Sequence, residues 1–229
     1  MRIEGEIKEA SFVARLTRFS ALVEMEGRRE TVFLPNSGRM KELLVAGRPV
    51  YVVPRGGPHR STAFDLALVS LGSQLVSVDA RVPNILVYEG LVEGSLSSLT
   101  GYGSFQREVV FGESRFDLLL KDGPRRCYVE VKSVTLVQGG RARFPDAPTQ
   151  RGTKHLRHLL RAKKEGHRAA IVFTVQREDA TSFTPNDETD PEFGKTLREV
   201  VAQGVEAYAY GCRVSLREIK IDREIAICL

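Results

Sequence analysis

Asp117, Glu130 and Lys132 have the residue types and the order that divalent-metal chemistry on a phosphate requires. Asp117 interrupts an apolar run, Phe116-Asp117-Leu118-Leu119-Leu120, and the other two lie in Tyr128-Val129-Glu130-Val131-Lys132. Side chains alternate across a strand, so Glu130 and Lys132 share one face while Val129 and Val131 take the other. If the two runs pair as neighbouring strands, Asp117 comes beside Glu130. Two carboxylates and the Val131 carbonyl then offer hard oxygen ligands to Mg²⁺ or Mn²⁺. Lys132 is placed to polarise an attacking water or to steady the charge that builds on a phosphate. A carboxylate from the preceding helix often completes such a cage, and Glu89 is the better-placed choice over Glu93.

Glu-x-Lys by itself says little. It occurs at Glu6-Ile7-Lys8, Glu130-Val131-Lys132 and Glu218-Ile219-Lys220, and a half-exposed strand turning polar residues to water produces the same pattern. Only the middle copy has an Asp in an upstream strand, an acidic helix before it and a basic helix after it. Pro145-Asp146 resembles the opening of such a motif, but it follows the Glu-x-Lys and so is not its first member.

The 229 residues include 34 basic and 29 acidic side chains, a net charge of +5. The segment Arg141–Arg168 alone holds nine basic and two acidic residues, +7, together with His155, His158 and His167. Of the basic residues 25 are Arg, whose planar fork suits bidentate contact with phosphate. Arg151, Lys154 and His155 fall at the start of a helix expected over Thr153–Glu165, where amide donors already favour anions. Arg157, Arg161 and Lys164 form one basic face of that helix at i, i+4 and i+7. A capped helix start with solvated charge accounts for the same residues; the functional reading is a polyanion site, nucleic acid among the candidates, with these groups gripping phosphates beside the metal.

The first eighty residues read as strands at Phe12–Leu16, Ala21–Met25, Thr31–Leu34, Val50–Val53, Ala63–Leu71 and Leu75–Val78, with a hairpin at Gly27 and a tight reversal over Pro54–Arg60. A helix is expected only at Arg39–Ala46. Strands in this number with a helix after the third suggest a small closed barrel of the oligonucleotide/oligosaccharide-binding (OB) type. Arg15, Arg18, Arg55 and Arg60 could line its binding face, and Arg39 in Pro35-Asn36-Ser37-Gly38-Arg39-Met40 could contact an anion. There is no Trp, and the few aromatics show no stacking-platform pattern. From residue 84 onward the order is helix (Leu86–Leu99), three strands (Phe105–Phe111, Arg115–Leu120, Cys127–Val134), helix, strand (Ala169–Val175), helix capped by Asp190, strand (Val205–Tyr210): a mixed α/β domain.

Hydrophobic residues at 42% and charged residues at 28% are a globular balance. No apolar run approaches the ~18–20 residues of a membrane helix. The polar opening MRIEGEIKEA has no secretory core, and Cys127, Cys212 and Cys228 show no CxxC spacing. A disulfide scaffold and a zinc ribbon are disfavoured, and the cytoplasm is the expected compartment.

Several blocks, in order, resemble the sugar fermentation stimulation protein A family: Pro35-Asn36-Ser37-Gly38-Arg39-Met40, Leu99-Thr100-Gly101-Tyr102, Arg115-Phe116-Asp117, Tyr128–Leu136, and Phe144-Pro145-Asp146-Ala147 with Arg151-Gly152 and Lys154-His155-Leu156. The resemblance implies an OB-like β-barrel over 1–82 joined to a PD-(D/E)xK restriction-endonuclease-like domain over 83–229. It also implies DNA binding and a link to the regulation of maltose and other sugar utilisation. The nuclease motif then falls on Asp117, Glu130 and Lys132, with Glu89 as the helix acid and Phe116 in place of the motif's proline. Three functions are compatible with these residues: an Mg²⁺- or Mn²⁺-dependent DNA phosphodiesterase, a non-catalytic DNA-binding regulator of weak sequence selectivity, and an RNA- or sugar-binding module. A homodimer is compatible with the nuclease-like domain.

Overall fold

A computed structural model of the chain describes residues 1–57 and 60–229. Pro58 and His59, within the reversal expected at Pro54–Arg60, lie outside the described residues. Six strands open the fold: β1 (Lys8–Thr17), β2 (Ser20–Met25), β3 (Arg28–Phe33), β4 (Pro49–Pro54), β5 (Phe64–Leu71) and β6 (Gln74–Ser77). They are hydrogen-bonded in the order β3-β2-β1-β4-β5-β6, and a parallel pairing of β3 with β5 at Phe33 and Asp65 closes the first five into a barrel. The β2–β3 hairpin turns on Glu26 and Gly27, both at positive φ, the backbone that matches the twist of a two-residue connection.

No helix forms at Arg39–Ala46. A single turn takes its place, with the N–H groups of Leu43 and Leu44 both donating to the Met40 carbonyl at 3.0 and 2.9 Å. Arg48 donates to the carbonyls of Glu42 and Leu43, satisfying acceptors that a continuing helix would use. Met40 and Leu43 are fully buried in the barrel core, so the apolar spacing that suggested a helix belongs to a plug.

The second half is a sheet covered on both faces. It contains α1 (Val82–Val92), β7 (Ser104–Phe111), β8 (Ser114–Asp122), β9 (Arg125–Val134), β10 (Val137–Gln138), β11 (Arg141–Phe144), α2 (Gln150–Lys164), β12 (Arg168–Val175), β13 (Ser182–Pro185), α3 (Pro191–Ala202), β14 (Glu206–Val214), β15 (Ile219–Glu224) and β16 (Ala226–Ile227). The main sheet has the order β15-β14-β12-β9-β8-β7; β12 runs parallel to β9 and β14, and the outer pairs are antiparallel. Leu156 and Leu159 of α2 and Phe193, Leu197 and Val200 of α3 pack on one face; Val87 and Leu91 of α1 pack on the other. Double coverage explains why Ala169–Val175 is apolar at nearly every position. The short strands β10, β11, β13 and β16 form a second sheet that the sequence did not announce.

Helix α1 begins four residues before Leu86 and ends well before Leu99. Pro83 sits in its first turn, where a missing N–H leaves no bond unmade. Beyond Gly94, at positive φ, Leu96 and Leu99 stay in the same core, so the helical spacing in the sequence outruns the helix. No helix among the described residues is long and apolar enough to cross a membrane.

Barrel and sheet meet through an apolar cluster that includes Leu68, Val82, Leu86, Cys212 and Ile219. The wholly buried Gln176 adds polar ties: its side chain accepts from Ser77 Oγ (2.8 Å) and donates to Ser133 Oγ (2.9 Å), and its carbonyl accepts from the Ser77 N–H (3.0 Å). On the other side, Asp146 accepts from the Met40 N–H at 3.1 Å. This close approach requires Gly38, because a Cβ there would stand 2.5 Å from Asp146 Oδ2. Gly38→Ala is therefore expected to destabilise the protein by about 1–3 kcal/mol in urea unfolding, and Asp146→Ala is expected to recover part of that loss in the double variant. Strict additivity of the two changes would contradict the contact.

Candidate active site

A cleft of about 390 Å³ opens between barrel and sheet, lined among others by Arg18, Asn36 and Gly38 from the barrel side and Asn84, Asp117, Glu130, Lys132, Asp146 and Arg151 from the other. Strand pairing puts Asp117 and Glu130 there. Strands β8 and β9 are antiparallel with Leu118 opposite Val129, and the next step of that register sets Asp117 against Glu130. The ladder ends at this point because Asp117 Oδ2 accepts the Val131 N–H at 2.8 Å.

Glu130 is 3% exposed. Its Oε1 is held by Lys132 Nζ at 2.5 Å and by His155 Nδ1. Its Oε2 is buried and has no hydrogen-bond partner among the described residues. A buried carboxylate oxygen without a donor is a costly arrangement, and a cation is the species that would satisfy it. The donor set fits a small hard ion: two carboxylates and a nearby backbone, with water or phosphate oxygens for the remaining positions. Among the described residues no group of three His, Cys, Asp or Glu side chains is arranged to hold a metal ion, and His155 is spent on Glu130 Oε1, so the protein's side chains would contribute Asp117 and Glu130.

The expected helix acid stands elsewhere. Glu89 is paired with the Met1 amino group at 2.7 Å and lines a different cavity. Because α1 starts early, Asn84 in its first turn reaches the site instead and donates from Nδ2 to Asp117 Oδ1 at 2.8 Å. A neutral amide at this place orients the carboxylate without adding a third negative charge. Asn84 gave no signal in the sequence except its position before an apolar helix.

His155 was expected to grip phosphate but is buried against Glu130. Arg151 Nε donates to its Nε2 at 3.4 Å, which leaves the Nδ1 proton for Glu130 and makes His155 a brace for the carboxylate. Arg151 itself lines the cleft as expected. Both are set by the start of α2, where Thr149 accepts the Gly152 N–H at 3.0 Å and its own N–H is held by Asp190 at 2.7 Å. Asp190 also caps α3 through Phe193, fixing two helix starts at once.

Lys154, Arg157 and Arg161 point away from the cleft, one helix face round from Arg151 and His155. They pair with Glu113 (3.3 Å), Glu192 (2.5 Å) and Glu165 (2.9 Å); of the basic face, Arg157 meets an acid remote in sequence and Arg161 one at the end of its own helix. On the barrel, Arg18 lines the cleft, whereas Arg15 donates to the carbonyls of Arg18, Asn36, Gly38 and Arg39 and braces the loop. Arg39 is exposed on the barrel surface near Lys41 and outside the cleft lining. Arg55 and Arg60 turn to Asp65. Cys127 and Cys212 are buried, with burial pushing both thiols up to about 12, so neither is a nucleophile.

Residues 81–218 match the family model "Sugar fermentation stimulation protein RE domain", and residues 13–78 match the "SfsA N-terminal OB domain". The chain belongs to the sugar fermentation stimulation protein family. Its similarity to relatives of that family runs end to end: it is 44% identical over 229 residues to the homologue from Caldanaerobacter subterraneus, covering all of both chains. It is 47% identical to the Moorella thermoacetica homologue, covering 93% of each. The structure of Pyrococcus furiosus SfsA in complex with Ca²⁺ matches with a TM-score of 0.93 at 30% identity, covering 100% of this chain and 98% of that one. The fold of this family member is thus an N-terminal OB-like barrel followed by a mixed α/β domain.

The two carboxylates respond to the cleft in opposite directions. Burial and then the charge of Glu130 push Asp117 above its ordinary value, against the Val131 N–H and Lys132. Burial penalises Glu130 too, but Lys132 and His155 outweigh it and hold that carboxyl below its usual range. A depressed carboxyl stabilises the fold above its unfolded pKa and loses this as pH falls through the folded value; a raised one destabilises at neutral pH and stops doing so once protonated. Asp117→Asn is therefore expected to raise the metal-free melting temperature at pH 7 by about 2–4 °C, the shift that about 1 kcal/mol gives at this size. The gain should vanish below about pH 4. A lowered melting temperature at pH 7 in a calorimetric scan would contradict it.

Proposed function

We propose that this family member is a DNA phosphodiesterase dependent on Mg²⁺ or Mn²⁺, with 1–82 as the binding unit and 83–229 as the catalytic unit. The observation that carries the reading is the buried, unpartnered Oε2 of Glu130 in a cleft shared with Asp117 and Lys132. A relative described in complex with Ca²⁺ supports a site for hard cations. Asp117 and Glu130 would hold the ion, which when bound supplies charge neutralisation at the phosphate and a more acidic water.

The chain's own groups then have distinct tasks. Lys132, beside Glu130 Oε1 at 2.5 Å, brings an ammonium to the charge that develops on the phosphate oxygens. His155 and Asn84 keep the two carboxylates in their rotamers. Arg18 from the barrel and Arg151 from α2 both line the cleft and hold the DNA backbone near the scissile bond. The OB-like barrel supports nucleic acid as the ligand, and the three free cysteines support residence in the reducing cytoplasm. A homodimer cutting both strands would yield double-strand breaks, whereas a monomer would yield nicks.

Incubating supercoiled plasmid with the protein and Mg²⁺ or Mn²⁺ tests the reading. Cleavage is expected only with metal, reduced about 100-fold or more by Asp117→Ala, Glu130→Gln or Lys132→Ala. No cleavage under any metal, or undiminished cleavage by these variants, would rule the phosphodiesterase out. Arg18→Ala and Arg151→Ala are each expected to weaken duplex binding and to lower the slope of log affinity against log salt by about 1. Slopes equal to wild type would remove both residues from the phosphate contacts.

A further inference from the structure

The barrel carries an aromatic pair that the sequence did not reveal. Phe19 lies in the β1–β2 turn and is 45% exposed. Its ring stacks on that of Phe33 at the end of β3, with 6.4 Å between centroids and 25° between planes. The Phe19 carbonyl accepts the Leu34 N–H at 2.9 Å, so turn and strand are locked together.

Three guanidinium groups surround the pair. Arg18 stands over Phe19 at 5.4 Å, and Arg60 and Arg81 stand over Phe33 at 5.7 and 5.8 Å. Arg60 and Arg81 are anchored by Asp65, which is 1% exposed and sits opposite Phe33 in the closing pair of the barrel. Arg18 has no acidic partner among the described residues, is exposed, and also lines the cleft. Arg81 immediately precedes α1, whose Asn84 reaches Asp117. The ring pair is thus bracketed by guanidiniums, with Arg18 at the cleft end.

We propose that Phe19, backed by Phe33 and flanked by Arg18, Arg60 and Arg81, forms a stacking platform for an unpaired base of a DNA strand whose backbone enters the cleft. Rings accept any base by its face, and the flanking guanidiniums meet the phosphates; this combination binds single strands without reading sequence. In a duplex the base faces are already stacked and cannot reach Phe19. The substrate class is therefore DNA with a single-stranded segment, such as a flap, a frayed end or a gap, and uniform duplex is the poorer ligand. Arg18, exposed at the junction, can yield the Phe19 ring to a base and turn to the adjoining phosphate. The inference rests on the phosphodiesterase reading for what happens in the cleft, but the platform binds without metal.

Fluorescence anisotropy in EDTA, with labelled oligothymidylate and a duplex of equal length, separates the two. Phe19→Ala is expected to lower single-strand affinity by about 5- to 140-fold, the equivalent of ~1–3 kcal/mol per stacked base, with duplex affinity kept within about twofold. Phe19→Tyr keeps the ring and should bind as wild type does. Wild type failing to bind the single strand, equal losses on both ligands, no loss for Phe19→Ala, or the same loss for Phe19→Tyr would each overturn the platform. Cleavage plays no part in this readout, so a plasmid assay that fails with every metal leaves the platform standing, and an unaffected Phe19→Ala leaves the phosphodiesterase standing.

Discussion

Two carboxylates brought together in a half-buried cleft repel each other, and the surrounding structure is arranged around that repulsion. Lys132 and His155 bind one oxygen of Glu130, Val131 and Asn84 bind Asp117, and the remaining Glu130 oxygen is left buried and alone. A site built for stability alone would replace one acid by an apolar group. This one retains both, with Asp117 pushed up and Glu130 held down, and such perturbed pairs cluster at functional sites.

The cleft depends on two folding units that are held together on both flanks. Gln176 ties β6 of the barrel to the end of β9, where Lys132 and Ser133 lie. Asp146 and Gly38 approach closely on the opposite flank, and Arg15 ties the β1–β2 turn to the loop by donating to the carbonyls of Arg18, Asn36, Gly38 and Arg39. Arg18 of the barrel and Arg151 of α2 thereby line one cleft.

Much of this was legible in the sequence where one physical rule dominates. Alternation placed Glu130 and Lys132 on one face, Asp190 followed by Pro191 marked the start of α3, and the doubly covered β12 stood out as an unbroken apolar run. The sequence misled where two causes give the same pattern. Met40, Leu43 and Leu44 have helical spacing because they plug a barrel; Leu96 and Leu99 continue the spacing of α1 because they remain in its core after the chain has turned. Glu89 was the expected acid of the preceding helix, but it pairs with the Met1 amino group, and the earlier start of α1 brings Asn84 to Asp117 as an orienting amide. The pairing of Lys154 with Glu113 and of Arg157 with Glu192 could not be read in advance, because both acids lie far away in the chain. Phe19 and Phe33 carry no spacing rule at all; only closure of the barrel stacks them.

The account stands on Glu130 as a ligand for a divalent ion. Isothermal titration of Mn²⁺ into the wild-type protein and into Glu130→Gln addresses this without DNA or turnover. One site per chain is expected for wild type, with affinity reduced about tenfold or more in the variant, since an amide oxygen replaces a charged donor. Equal Mn²⁺ affinity in the two proteins, or no binding to either, would contradict the central claim.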